Sequence, residues 1–132
     1  MIVVSAGVVM REGRIMICQR KPEAHNGLKW EFPGGKLEKG ESPEAALIRE
    51  LYEELRIKVK VGHVLDVLFH SYSDRDVLIM FYPCEIMEGE PVTADCNAIA
   101  WVLPEEFPAY DFAEGDRRFT DRYLRHFASE TV

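Results

Sequence analysis

Three glutamates, Glu50, Glu53 and Glu54, are spaced so that their side chains could act together in a chemical role. On a helix that begins near Pro43 they lie three and four residues apart, so their carboxylates share one face. Like charges at this spacing repel one another, and Arg49 offsets part of that repulsion. A hard divalent cation, which prefers oxygen ligands, would offset more. The pattern therefore indicates either a cation-binding face or an ordinary solvated acidic surface.

The segment before this helix favours the first alternative. Gly34 and Gly35 let the backbone approach a ligand closely. Ser42 is a predicted N-cap and Pro43 suits the first helical position, so we expect a helix from Pro43 to about Leu55. The chain lacks the G-x-x-x-x-G-K-[ST] pattern, which excludes a P-loop. The opposite helix stripe is expected to face the core; it comprises Ile48, Leu51, Tyr52 and Leu55.

The other elements that must position this helix are mainly strands. A helix near the end of the sequence is predicted from its apolar residues. Phe119, Tyr123 and Phe127 follow one another at intervals of four, with Leu124 beside them. Strands flanking a central helix, with a second helix at the end, indicate one mixed α/β domain over residues 1–132. The predicted strands are 2–10, 14–18, 30–32, 58–63, 64–72, 76–86 and 98–103.

Composition narrows the class of protein. The 132 residues carry 23 acidic and 16 basic side chains, a net charge of −7, which argues against a nonspecific nucleic-acid coat. A nucleotide substrate is still compatible with this negative net charge, because a bound metal can supply positive charge. The three cysteines show no C-x-x-C spacing, which predicts reduced thiols rather than a zinc site or disulfide framework. Without an apolar membrane span or a secretory signal, we expect a soluble cytoplasmic protein.

Residues 35–57 resemble the Nudix box, G-x5-E-x7-R-E-U-x-E-E-x-G-U with U apolar. Gly35, Glu41, Arg49-Glu50-Leu51 and Glu53-Glu54 match it, and Ile57 provides its last apolar position. The run Trp30-Glu31-Phe32-Pro33-Gly34-Gly35 resembles the MutT-like branch of that family.

The resemblance implies an α/β/α sandwich with a central mixed sheet, in which the box forms a loop–helix–loop. It further implies Mg²⁺, with Mn²⁺ as an alternative, bound by Glu50, Glu53, Glu54 and the Gly34 carbonyl. Arg49 would orient the carboxylates and Glu41 would support the loop. The cations would screen phosphate charge and activate water.

Arg56 departs from the family pattern, which has glycine there. That glycine normally ends the helix with a positive φ. An arginine in the left-handed region would cost about 1 kcal/mol, or the helix would run slightly further. Neither outcome removes a carboxylate, so we expect activity to survive.

Outside the box, the resemblance gives roles to four residues. Asp95, in a loop before a late strand, would be a further metal ligand or general base, with Glu90 as its competitor. Arg20 would reach the substrate phosphates, and Phe32 would stack on the base. Asp116 would contact the base, although it also suits an N-cap. Tyr110 and Asp111 are alternatives for that contact, while Tyr72 is interpreted as a strand-end tyrosine.

These residues predict hydrolysis of a nucleoside triphosphate to the monophosphate and pyrophosphate. The expected substrate resembles 8-oxo-dGTP or dGTP, or else CTP or dCTP, and a role in nucleotide-pool sanitation follows from the first. A nucleoside-diphosphate compound such as ADP-ribose is the alternative substrate. A non-catalytic nucleotide-binding Nudix domain is the alternative of another class. We expect a monomer or homodimer with no nucleic-acid polymer or membrane as partner.

Overall fold

A mixed sheet of eight strands lies at the centre of the computed structural model, which describes residues 1–126. The strands are β1 (Ile2–Arg11), β2 (Arg14–Gln19), β3 (Trp30–Glu31), β4 (Gly34–Lys36), β5 (Lys58–Val61), β6 (Asp66–Ser71), β7 (Asp76–Glu88) and β8 (Ala98–Val102). The helices are α1 (Pro43–Leu55), α2 (Glu114–His126) and a 3₁₀ helix over Pro104–Ala109. Sequence reasoning missed β4 and the 3₁₀ helix.

Strand β1 organises the sheet. It pairs in parallel with β7, with Ile2 opposite Val77 and Val9 opposite Cys84. It also pairs antiparallel with β4 and, at the hairpin end, with β2. Strand β2 continues to β3 and β8, and β7 continues to β5 and β6. The parallel pair makes the sheet mixed, as the resemblance implied.

The two helices cover opposite faces of the sheet. Successive residues of a strand point to opposite faces, and Val8 and Val9 of β1 belong to different apolar clusters. The cluster with Val9 contains Leu47, Leu51 and Leu55 of α1. The other cluster, with Val8, contains Phe119 of α2. The fold is therefore an α/β/α sandwich, which confirms the predicted class.

Helix α1 has the predicted ends. Ser42 Oγ accepts a hydrogen bond from the Ala45 N–H at 3.1 Å, and Pro43 occupies the first turn. At the other end Arg56 has φ 59° and ψ 33°, and its N–H donates to the Tyr52 carbonyl at 2.9 Å. Arginine thus takes the left-handed position that the family pattern gives to glycine, and the helix does not run further.

The predicted core stripe of α1 is partly wrong. Leu51 and Leu55 are fully buried, but Ile48 is 43% and Tyr52 48% exposed. Their places in the core are taken by Ala46 and Leu47. Each helical residue turns by about 100°, so residues one position beyond Leu47 and Leu51 rotate away from the sheet.

Helix α2 carries the expected apolar face. Phe119 is fully buried, and Tyr123 packs against the same core. Phe127, the third residue of the predicted stripe, lies outside the described residues. Within residues 1–126, no helix combines the length and apolar character needed to cross a membrane.

Candidate active site

The carboxyl group of Glu54 lies at the centre of the candidate site. It accepts a hydrogen bond from the Gly34 backbone. Burial, followed by the charges of Glu31, Glu50 and Asp95, raises its pKa to about 9. The group lines a cavity of about 220 Å³, which we call the carboxylate cavity. The other lining residues are Arg20, Lys21, Ala24, Glu31, Asp95 and Cys96. A buried acid surrounded by other acids is a place where positive charge would be stabilised.

Arg49 holds the other two box glutamates. Its Nη1 donates to Glu50 at 2.8 Å and to Glu53 at 3.3 Å. Its Nε and Nη2 donate to both carboxylate oxygens of Glu41, at 2.8 and 3.0 Å. The Arg49 hydrogen bonds are the main cause that lowers the pKa of Glu41. Arg49 therefore joins the loop before α1 to the acidic face of the helix.

Two glycines let the loop lie directly on its neighbours. Gly34 has φ +154°, and a Cβ there would collide with the Ser5 carbonyl oxygen and stand 2.9 Å from Ala6 Cα. A Cβ on Gly35 would lie 2.5 Å from Glu50 Cδ. Any larger residue at Gly35 would push the Glu50 carboxylate out of place, which explains the glycine pair in physical terms.

The donor chemistry of this helix face fits a divalent cation. Three carboxylates and a nearby backbone carbonyl are all oxygen donors, the kind that Mg²⁺ and Mn²⁺ prefer. Among residues 1–126, no three acidic, histidine or cysteine side chains converge in a ready metal-binding cluster. The carboxylates of Glu50 and Glu53 instead contact Arg49, and that of Glu54 contacts the Gly34 backbone.

Asp95 and Glu90, the two alternatives for a further metal ligand or general base, lie in different surroundings. Asp95 lines the carboxylate cavity and forms an ion pair with Lys21 Nζ at 2.9 Å. Its backbone N–H donates to the Glu54 carbonyl at 3.1 Å. Glu90 instead pairs with Arg11 at 2.9 Å, and its side chain is 78% exposed. The position of Asp95 at the carboxylate cavity thus favours it over Glu90 for that role.

Arg20 and Glu31 form the wall between two cavities. Arg20 Nη1 donates to Glu31 at 2.9 Å, and Arg20 Nε donates to the His25 carbonyl. The Glu31 side chain is 25% exposed, and desolvation raises its pKa more than Arg20 lowers it. Sequence reasoning gave Glu31 no role. Its alternation with Trp30 and Phe32 was the available signal, because it places the carboxylate on the face opposite the two rings.

Asp116 lies in a second cavity, of about 160 Å³, which we call the polar cavity. Its carboxylate accepts the Phe32 N–H at 3.1 Å. Burial, followed by the charge of Glu31, raises its pKa to about 8. Helix α2 begins at Glu114, so Asp116 is inside the first turn and the N-cap alternative is wrong. Tyr72 directly follows β6, as a strand-end tyrosine would, and it also lines this cavity.

The expectation that Phe32 stacks on a base is contradicted. The residue is 3% exposed. Its ring packs against four other phenylalanines, Phe81, Phe107, Phe112 and Phe119. No face of the ring is open to a ligand in this arrangement. The contribution of Phe32 to the site is its backbone N–H, which fixes Asp116.

Neither alternative to Asp116 lines the polar cavity. Tyr110 packs edge-on against Trp30, with ring centroids 5.2 Å apart. Asp111 pairs with Lys29 at 3.2 Å and with Arg117 at 3.7 Å. The structure therefore places Asp116, rather than these two, beside Arg20 and Glu31.

Fold and site together define an α/β/α hydrolase-type sandwich with a carboxylate-bearing loop–helix–loop at its cleft. The chain belongs to the NUDIX domain family, whose model matches residues 1–123. Among its relatives is an 8-oxo-dGTP diphosphatase of Escherichia coli, 36% identical over 110 residues, which are 83% of this chain and 85% of the relative.

Two further comparisons agree with this assignment. A CTP pyrophosphohydrolase of Escherichia coli is 34% identical over 124 residues, 94% of this chain and 92% of the relative. The crystal structure of a MutT NUDIX hydrolase from Burkholderia pseudomallei has a TM-score of 0.82 and 26% identity. The match covers 91% of this chain and 95% of that chain. The predicted membership in the MutT-like Nudix hydrolases is thereby confirmed.

Proposed function

We propose that this chain hydrolyses a nucleoside triphosphate to the monophosphate and pyrophosphate, with Mg²⁺ or Mn²⁺ as cofactor. The observation that carries the proposal is the adjacency of the carboxylate and polar cavities, which share Arg20 and Glu31 in their linings. A molecule with a polyphosphate at one end and a flat polar group at the other would span both. The relatives named for 8-oxo-dGTP and CTP support an oxidised purine or a pyrimidine as that group.

The oxygens of Glu50, Glu53, Glu54 and Asp95, with the Gly34 carbonyl, would hold the cation. When bound, the cation supplies neutralisation of the phosphate charge and activation of the attacking water. Glu50, Glu54 and Asp95 are close enough to interact electrostatically, because the charges of Glu50 and Asp95 both raise the pKa of Glu54. The same grouping explains why the net charge of −7 is compatible with an anionic substrate.

The remaining residues of the site position these acids and the phosphates. Arg49 fixes Glu50 and Glu53 in relation to Glu41 and the loop. Arg20 presents its guanidinium at the boundary of both cavities, where phosphate oxygens can accept from it. We assign catalysis to Glu50, Glu53, Glu54 and Asp95, with Arg49 as the residue that orients Glu50 and Glu53.

Asp116 would recognise the base. Its raised pKa keeps it protonated at neutral pH, so the carboxyl group offers both an O–H donor and an acceptor. One oxygen already accepts the Phe32 N–H, which fixes the plane of the group. A base that presents a complementary acceptor and donor pair would bind there. Preference for an oxidised purine would place the enzyme in nucleotide-pool sanitation.

A panel of nucleotides with product identification tests the proposal. Purified protein with Mg²⁺ or Mn²⁺ is incubated with 8-oxo-dGTP, dGTP, CTP, dCTP and ADP-ribose, and products are separated by chromatography. Release of pyrophosphate from a triphosphate supports the proposal, with loss of turnover in Glu54→Gln and retention in the exposed control Glu85→Gln. Nucleotide binding without turnover would instead indicate a non-catalytic binding domain.

A further inference from the structure

The hydroxyl of Ser5 is a buried polar group without a partner. Ser5 lies on β1 and is fully shielded from solvent, and its Oγ forms no hydrogen bond with any residue from 1 to 126. A comparable buried hydroxyl, that of Thr120 on α2, donates to the Arg117 carbonyl at 2.7 Å. Because most buried polar groups are hydrogen-bonded, an exception such as Ser5 needs a physical reason.

Ser5 faces helix α1 beside the Glu50 carboxylate. Gly7, two residues further along β1, faces Leu51 of α1, and alternate residues of a strand share a face. Ser5 is paired with Gly35 of β4. The Glu50 carboxylate covers Gly35, since a Cβ there would lie 2.5 Å from Glu50 Cδ. Directly paired residues of antiparallel strands have Cβ atoms about 4.5–5.5 Å apart, so the Ser5 hydroxyl lies next to this carboxylate.

One oxygen of the Glu50 carboxylate is available as an acceptor for this hydroxyl. Oε1 accepts from Arg49 Nη1 at 2.8 Å, whereas no residue between 1 and 126 donates to Oε2. Both oxygens lie over Gly35, at 2.8 and 2.7 Å from the place that a Cβ would take. The Glu50 side chain is only 18% exposed. An unused donor and an unused acceptor of the protein are therefore adjacent in a place with little access for solvent.

We propose that Ser5 is a positioning residue, which donates a hydrogen bond to Glu50 Oε2 when this carboxylate binds a divalent cation. The proposal rests on the proposed function, which makes Glu50 a ligand of the cation. Rotation about the Cα–Cβ bond of Ser5 turns the hydroxyl between staggered positions without a movement of β1. A ligand carboxylate that is itself hydrogen-bonded keeps one orientation, and loss of such a supporting group typically costs 10- to 100-fold in metal affinity.

The affinity for Mn²⁺ in the absence of nucleotide tests this role without any turnover. Binding of Mn²⁺ alone is measured by calorimetry for the full chain and for Ser5→Ala, and urea unfolding in EDTA gives the stability of both. We expect Ser5→Ala to bind Mn²⁺ about tenfold more weakly, at the low end of the range for supporting groups. In EDTA it should be at least as stable as the unmodified chain, because it lacks an unsatisfied buried hydroxyl. A merely structural role would lower stability in EDTA and leave the Mn²⁺ affinity unchanged.

Two further variants complete the comparison. Thr120→Val removes a buried hydroxyl that has its partner, so it should lose stability in EDTA but keep the Mn²⁺ affinity of the unmodified chain. Ser5→Cys has nearly the size of the unmodified side chain but only a weak donor. It should bind Mn²⁺ more weakly, as Ser5→Ala does, and it replaces Ser5→Ala if that variant does not fold.

The outcomes separate this proposal from the proposed function. If Glu54→Gln weakens Mn²⁺ binding while Ser5→Ala does not, the role of Ser5 is overturned and the cation site stands. If neither variant weakens Mn²⁺ binding, the cation binds elsewhere and both proposals fail. An equal loss of Mn²⁺ affinity in Thr120→Val and Ser5→Ala would also overturn the role of Ser5, because it would reflect general damage to the fold.

Discussion

The backbone N–H of Asp95 donates to the carbonyl of Glu54 at 3.1 Å. This bond joins the C-terminal turn of α1 to the loop before β8, which are 41 positions apart in the chain. A carbonyl in the last turn of a helix has no partner within the helix, and here the loop supplies one. The same bond brings the two acidic side chains to one cavity.

Substitution of Asp95 should separate it from Glu90 as a participant in the reaction. Asp95→Asn keeps the size of the side chain but removes its charge from the carboxylate cavity. We expect kcat to fall by roughly 10- to 100-fold, the range seen when groups near a metal are altered. Glu90→Gln, which only breaks the exposed pair with Arg11, should stay within about twofold of the unmodified chain. Steady-state kinetics on the preferred nucleotide give both values, and the reverse ranking would assign the role to Glu90.

Divalent cations should stabilise the fold through the box glutamates. Ligand binding to the native state adds about 2.7 kcal/mol at a hundredfold excess over Kd. Thermal unfolding with Mn²⁺ or Mg²⁺, compared with EDTA, should show a rise in Tm that saturates. The rise should be much smaller in Glu54→Gln and unchanged in the control Glu85→Gln. An equal rise in all three proteins would place cation binding elsewhere.

Arg56→Gly should leave both activity and stability nearly unchanged. The left-handed conformation of Arg56 costs about 1 kcal/mol, which glycine would relieve. Glycine also adds about 0.4–1 kcal/mol of unfolded-state entropy, so the two effects nearly cancel. Urea unfolding and kcat measure the outcome. Arg56→Val, which places a β-branched residue at φ 59°, should lose more than about 1 kcal/mol. A large gain of activity in Arg56→Gly would contradict this account.

Removal of the Phe32 ring should affect folding far more than substrate binding. Phe32→Ala should lower the free energy of unfolding by about 3–5 kcal/mol, as for other buried aromatic rings. Phe69, which is 50% exposed, is the matched control, and Phe69→Ala should cost under about 1 kcal/mol. Phe32→Leu keeps enough core volume to be assayed, and its KM should stay close to that of the unmodified chain. A severalfold rise in KM with normal stability would restore the stacking role.

Asp116 should make the fold less stable as the pH rises. Its pKa is about 8 in the folded protein, against an ordinary value of 3.8. Between about pH 4 and pH 8 the folded state keeps the proton that the unfolded chain has lost, so the free energy of unfolding falls with pH in this window. Asp116→Asn should flatten that decline. Unfolding in EDTA from pH 5 to 9 measures it, with the exposed Asp74→Asn as control. If the free energy of unfolding fell equally with pH in Asp116→Asn and in the unmodified chain, the raised pKa of Asp116 would not be its cause.

Local sequence signals predicted most of the elements because their causes are local. The Ser42 cap, Pro43 and the acidic spacing define α1 without reference to the rest of the chain. Strand β4 escaped prediction because it contains Gly34 and Gly35, which have no strand preference of their own. Its pairing with β1 supplies the structure.

Non-local contacts explain why the prediction for Phe32 in the site was wrong. The alternation of Trp30, Glu31 and Phe32 shows that the rings and the carboxylate point to opposite faces, but not which face is the core. Four phenylalanines from β7, the 3₁₀ helix, the segment before α2 and α2 itself decide that.

The parallel pairing of β1 with β7 has a consequence for how the protein is made. Ile2 leaves the ribosome long before its partner Val77, and until then the first strand lacks one neighbour. Helix α1, although its own signals are local, then has only part of the surface on which Leu51 and Leu55 pack. Long-range pairing of this kind slows folding. A working cleft must therefore wait for the late part of the chain that pairs with β1 and brings Asp95 to Glu54.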